Sequence, residues 1–267
     1  MRLILTLVIL VCFSALVYGN FHWNDKLASA VDREEAHLLV GGAAKSEKEA
    51  ELEENKMTVD DFSNLPSESA EFIIEKFNKD EEIELVIIGS EYTIAGEQSW
   101  STMFKEKMEH TYERLFNITI IDIPGGATTE EVISNDLINK NLTVTPDFVI
   151  LEPFLLESNG IIDIEQSLNH ISTMIDDIKL LNTDVFIFLQ PAQPLHKAIY
   201  YPTEVEKLKN VAKEQELFYI DHWNNNWPDY HSDEFLEYII PDTILPNEKG
   251  HLIWANYILR LFSIEEG

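Results

Sequence analysis

The sequence predicts an α/β protein: a three-layer α/β/α sandwich around a five-stranded, mostly parallel sheet, preceded by an N-terminal hydrophobic helix. Three observations lead there. Five short runs rich in β-branched and aromatic residues, at 83–88, 118–123, 148–152, 185–190 and 217–220, alternate with amphipathic segments of helical length. Strands separated by such segments read as βαβ units around a parallel sheet. The runs are also nearly continuously apolar, as strands are when helices cover both faces of a sheet. Finally, 267 residues with 45% apolar content suit one medium domain with an appendage and rule out wholesale disorder.

The appendage comes first. Residues 3–23 carry no charged side chain, and Arg2 and the α-amino group precede them. That is the layout of an export signal, a positive start followed by an apolar stretch. Val17 and Gly19 are small enough to flank a cleavage site before Asn20. The stretch is also about as long as a bilayer-spanning helix, roughly 20 apolar residues. Residues 1–23 are therefore a signal peptide or a membrane anchor. The anchor is preferred, because Tyr18 and Trp23 suit the outer interface. Cys12, the single cysteine, belongs to this segment and excludes an internal disulfide framework or a Cys-based metal site. Val11 before it is not the small residue of a lipoprotein processing site.

Residues 24–65 read as an acidic stalk. A short amphipathic stretch at 25–40 is broken by Gly41 and Gly42, and 45–61 is dense in Glu and Asp with few large apolar residues. The folded domain is then expected over 66–267. It opens with helical spacing at 68–77. Further helical segments fall at 100–115, 128–139, 164–181, 202–215 and 251–262. The charge constrains partners: 48 acidic against 19 basic side chains give a formal net charge of −29. Nucleic-acid affinity comes largely from Lys and Arg neutralising phosphates, so a nucleic-acid partner is excluded. Contact with anionic lipid is disfavoured likewise, leaving the membrane to the N-terminal segment alone.

In a parallel α/β sheet the site lies beyond the carboxyl ends of the strands. The segments there are Gly89-Ser90-Glu91-Tyr92-Thr93, Pro124-Gly125-Gly126-Ala127-Thr128, Pro153 through Asn159-Gly160, Gln190-Pro191-Ala192-Gln193-Pro194 and Asp221-His222-Trp223. Asp242 through Pro246-Asn247-Glu248-Lys249-Gly250-His251 precedes the last helical segment. With these residues the sequence resembles the SGNH (GDSL-type) hydrolase family, over about residues 83–262. The stretch from Gly89 looks like the nucleophile block, and Gly125-Gly126 with Thr128 like the glycine block. Pro146-Asp147-Phe148-Val149-Ile150 leading to Asn159-Gly160 looks like the asparagine block. Asp242 through His251 looks like the last block, which normally reads Asp-x-x-His-Pro-Asn. No single block is specific, but four in order on a βαβ background are.

The resemblance implies a flavodoxin-like layer order and ester hydrolysis on lipid or glycan esters, without cofactor or metal. A Ser attacks, a His takes its proton, and an Asp holds the His. Backbone N–H groups and an Asn hold the oxyanion. This sequence departs from that set. In register, the nucleophile position falls on Glu91, with Ser90 one residue early. The Asn position falls on Glu157, with Asn159 two residues late. The His position falls on Leu245, which cannot carry a proton. Gly126 and Asp242 remain in place.

Two functional readings follow. In the first, the domain no longer hydrolyses and binds a ligand, such as a cell-envelope glycan. In the second, it is an active esterase or deacetylase with a relocated constellation of Ser90 and either His222 or His251. Each of these residues also has a structural explanation. Ser90 suits a helix cap, His222 with Trp223 suits packing in an aromatic loop, and His251 suits a helix start with its ring bonded to a carbonyl. Glu91, Glu157 and Asp242 are expected to converge or else to face solvent. Converging carboxyl groups raise one another's pKa, recruit a cation such as Ca²⁺, or serve as acid and base in glycoside chemistry. Trp223, Trp227 and Tyr230 read as a sugar-stacking platform or a packed lid. The expected location is the outer face of the cytoplasmic membrane, or outside the cell, in a Gram-positive bacterium.

Overall fold

The computed structural model describes residues 57–94, 98–123, 125–224 and 227–264. The signal or anchor over 1–23, and the stalk up to residue 56, lie outside the described residues. Among the described residues no helix is long and apolar enough to cross a membrane.

The five strands are β1 (Ile83–Gly89), β2 (Phe116–Asp122), β3 (Phe148–Leu151), β4 (Phe186–Leu189) and β5 (Phe218–Tyr219). They form one sheet in the order β2-β1-β3-β4-β5, and every pairing is parallel. The helices are α1 (Ser67–Lys79), α2 (Glu91–Ile94), α3 (Trp100–Tyr112), α4 (Thr129–Ser134), α5 (Leu137–Asn141), α6 (Leu155–Ser158), α7 (Ile164–Leu181), α8 (Tyr201–Glu214) and α9 (Glu248–Leu261). Strand order reverses at β1. Right-handed crossovers therefore put α3 on one face and α7 and α8 on the other. Aromatic contacts agree. Phe262, just after α9, meets Phe104 of α3, Phe116 and Phe188, while Phe72 of α1 meets Phe148 and Phe186. Phe186 and Phe188 alternate along β4 and so share a face. The opposite layer is built by α4 and α8 packing on α7.

Local chemistry explains most boundaries. The Ser99 side chain accepts from Thr102 N to start α3, and Asp163 accepts from Glu165 N to start α7. Thr128 and Glu131 form a reciprocal capping box on α4. Asn247 accepts from Gly250 N, so α9 begins at Glu248 rather than at the expected 251. The single helix expected over 128–139 is two helices, because Asp136 turns left-handed at φ 52° between α4 and α5. The expected strand at 217–220 keeps only two paired residues.

The start of the domain also moves. A 3-10 turn at Val59–Phe62 lies within the expected stalk, and its Phe62 is fully buried in the core together with Leu65. The compact unit Met57–Gly267 therefore takes in this turn as well as the expected 66–267.

Candidate functional site

The carboxyl ends of β1 and β3 set the site. At Gly89, the last residue of β1, the chain turns directly into α2. A Cβ there would lie 2.2 Å from Thr93 Oγ1, so only glycine lets the turn fold back this tightly. Ser90 follows and is 2% exposed. Its hydroxyl donates to Glu152 Oε2 at 2.5 Å, and its N–H donates to the same oxygen at 2.8 Å. The side chain therefore does not cap α2; the Ser90 carbonyl instead accepts from Thr93 N. Glu152, just past β3, is wholly buried, and its other oxygen accepts from Phe154 N at 3.2 Å. Burial pushes the Glu152 pKa up, against three donors that favour its charged form.

Glu91 opens α2 and lies against the glycine loop: a Cβ built on Gly125 would be 3.0 Å from Glu91 Oε2. Gly126 adopts φ 79°, a left-handed conformation natural to glycine. Its N–H faces Glu157 of α6 and favours that carboxylate. Partial burial nevertheless pushes Glu157 up to about 7, and repulsion from Glu152 and Glu91 adds to the shift. Its Oε1 is buried without a hydrogen-bond partner. Glu91, Gly126 and Glu157, three residues expected from the sequence to share a site, thus gather with Glu152. The fourth was not expected. Its signal was an acidic residue closing an otherwise apolar strand at the carboxyl end.

The remaining expected residues have other partners or face solvent. The Asn159 side chain donates to Glu204 of α8 at 2.8 Å. Asp242 is exposed in the turn before α9, at φ 62°, and is not among the charges acting on Glu157. His222 is fully buried, with both ring nitrogens engaged. Nε2 donates to the Pro191 carbonyl at 3.0 Å, and Nδ1 accepts from Trp227 Nε1 at 3.1 Å. Its ring stacks on Trp254 with centroids 4.4 Å apart. Burial depresses the His222 pKa to about 3, which fits a neutral ring using one nitrogen as donor and the other as acceptor. His251 Nδ1 accepts from Trp100 N at 3.2 Å.

In the aromatic loop, Trp227 is buried and Trp223 donates to the Ala192 carbonyl. These two indoles pack the loop onto the domain. Among the described residues, no group of three or more His, Cys, Asp or Glu is placed to hold a metal ion.

No protein-family model and no curated protein matches the chain by sequence. Solved structures do match by shape. One is a GDSL-like lipase from Bacteroides thetaiotaomicron, with TM-score 0.50 and 11% identity over 67% of this chain and 87% of that one. Another is a lipase/acylhydrolase from Enterococcus faecalis, with TM-score 0.52 and 17% identity over 68% and 95%. A third is an acetyl xylan esterase, with TM-score 0.51 and 13% identity over 67% and 98%. At such identities the shared property is the fold. The strand order, the glycine loop beside α2 and these neighbours together give the chain the fold of the SGNH, or GDSL-type, hydrolases.

Proposed function

We propose that this chain is an exported or membrane-anchored protein that binds an acylated glycan at the carboxyl end of its sheet and does not hydrolyse it by a serine mechanism. The observation that carries the reading is the Ser90 hydroxyl, 2% exposed and donated to Glu152. A serine nucleophile needs an accessible oxygen and a base that removes its proton. Here the hydroxyl is committed to a buried carboxyl group, and His222 has both nitrogens bonded elsewhere. The position expected to carry the catalytic His is Leu245. Where an oxyanion would need donors, Glu91 and Glu157 place carboxyl groups, which repel developing negative charge when ionised. Carboxyl groups do serve a ligand rich in hydroxyls, because they accept hydrogen bonds. An acetyl xylan esterase among the similar structures supports acylated glycans as the ligand class. The apolar segment at 3–23 supports export.

The test has two arms on one folded sample. The first is hydrolysis of p-nitrophenyl acetate and acetylated xylan by the wild type, Ser90→Ala, His222→Ala and His251→Ala. The second is calorimetric titration with acetylated xylo-oligosaccharides. The expected result is no hydrolysis above the buffer rate, together with binding that Glu91→Ala weakens. Hydrolysis abolished by Ser90→Ala and by one His variant would establish the active esterase instead.

A further inference from the structure

We propose that α6 is a proton-held latch: neutral Glu157 keeps this turn packed on the glycine loop and the Glu91 and Glu152 carboxyls, and ionisation of Glu157 loosens it. The inference concerns the same site as the proposed function but does not depend on ligand binding.

Three observations carry it. First, Glu157 shares its surroundings with two other carboxyl groups, and no Lys or Arg figures among the groups acting on it. Second, its Oε1 is buried without a donor. An ionised carboxylate with one oxygen so placed loses hydration, the Gly126 N–H offsets only part of that loss, and the cost falls if the group swings out to water. Third, α6 is built to swing. It is one turn long and lies between two left-handed residues, Phe154 at φ 60° and Gly160 at φ 75°. Such positions at both ends of a short element are where a backbone change can be absorbed.

Other titratable groups surround Glu157, and Glu152 among them is also pushed up by burial. Within the cluster Glu157 is faced by Glu152 beyond β3 and by Glu91 and Tyr92 on α2. On α4, Glu131 is turned back to cap Thr128. On α8, Glu204 is held by Asn159, and Tyr201 acts on Glu152. On α7, His170 is bonded to Thr129. The remaining holds on α6 are uncharged: Thr129 N donates to Ser158 Oγ at 2.8 Å, and Ser158 Oγ donates to the Phe154 carbonyl at 3.1 Å. Glu157 moves toward about 7, so the change of state falls near neutral pH.

The experiment is amide hydrogen exchange on the full chain at about pH 6 and about pH 8.5, with rates corrected for intrinsic pH dependence. Peptides covering 125–129 and 154–160 are compared with β1 and β3. In the wild type, protection of both peptides is expected to fall by about fivefold or more at the higher pH, while the strands hold. Glu157→Gln, which cannot ionise, is expected to keep its protection at both values. Glu91→Gln removes one repelling carboxyl and is expected to move the wild-type transition to lower pH, which gives a second reading if Glu157→Gln does not fold. Equal wild-type protection at both pH values would overturn the latch. So would the same loss in Glu157→Gln, or an unmoved transition in Glu91→Gln.

Discussion

Ser90 and Glu152 are each buried because the other is there. The serine supplies two of the three donors that the carboxyl group uses, and the carboxyl group accepts from both polar atoms the serine presents. Removing the hydroxyl by Ser90→Ala leaves the buried acid short of a donor, which costs about 1–3 kcal/mol. A catalytic serine, by contrast, is usually lost with little change in stability, so thermal unfolding of Ser90→Ala separates the two roles. The pH dependence of the partner follows from its sign. Burial raises the Glu152 pKa above the unfolded value of 4.5, so the native state holds its proton more tightly. Its contribution to stability is whole below about pH 4.5 and shrinks as pH rises toward the folded pKa. Glu152→Gln, which is neutral at every pH, should therefore gain on the wild type between pH 5 and pH 8 in the same unfolding measurement. A constant difference across that range would mean the acid is not held protonated. The pairing of the two was not legible from the sequence. Glu152 closes an apolar strand and shares no motif with Ser90, and only the parallel register of β1 and β3 brings them together.

The segment after β4 is a different kind of element, a buried stretch of irregular chain. Gln190, Ala192 and Gln193 are all fully buried; the Gln190 N–H still donates to the Leu151 carbonyl, and beyond it the segment is irregular. Aromatic side chains supply donors to three of its acceptors. Trp254 Nε1 donates to Gln190 Oε1, His222 to the Pro191 carbonyl and Trp223 to the Ala192 carbonyl. The helices on this sheet were readable from their periodicity, and the strands from their apolar runs. A loop held by indole and imidazole donors has no period, so His222 read equally well as a catalytic base or a packing residue. Its electrostatics give a direct check. The folded pKa is about 3 and the unfolded one about 6.5, so the unfolded chain binds the proton first as pH falls. The stability that His222 contributes is complete above about pH 6.5 and is lost as pH falls toward 3. The loss is bounded by roughly 5 kcal/mol. His222→Phe should keep a ring over Trp254 but lose both hydrogen bonds. It should be less stable at pH 7 by about 2–3 kcal/mol and lose less on acidification. Parallel denaturant curves at pH 7 and pH 4.5 measure both effects, and equal acid sensitivity in the two proteins would remove His222 as its source.

Across the whole molecule, the layer order and the parallel sheet were expected from alternation and block order. The start of the domain was not. Phe62 and Leu65 lie at the end of an acidic stretch with no periodicity to mark them, and one 3-10 turn is too short to supply any. Their burial is a tertiary fact. Phe62 packs its ring 5.5 Å from Tyr112 at the end of α3, and Asn64 donates to the Arg260 carbonyl in α9. This short lead-in thereby ties together two helices of one layer, α3 and α9. A chain starting at Pro66 would strip a phenylalanine and a leucine from the core beneath those helices. Truncations of this size at single core positions cost about 2–5 kcal/mol. A chain starting at Met57 keeps both. The two chains should therefore differ by several kcal/mol in chemical denaturation, with the shorter one losing protection first in α3 and the end of α9. Equal midpoints for the two would place the boundary back at Pro66 and leave Phe62 as an ornament of the stalk.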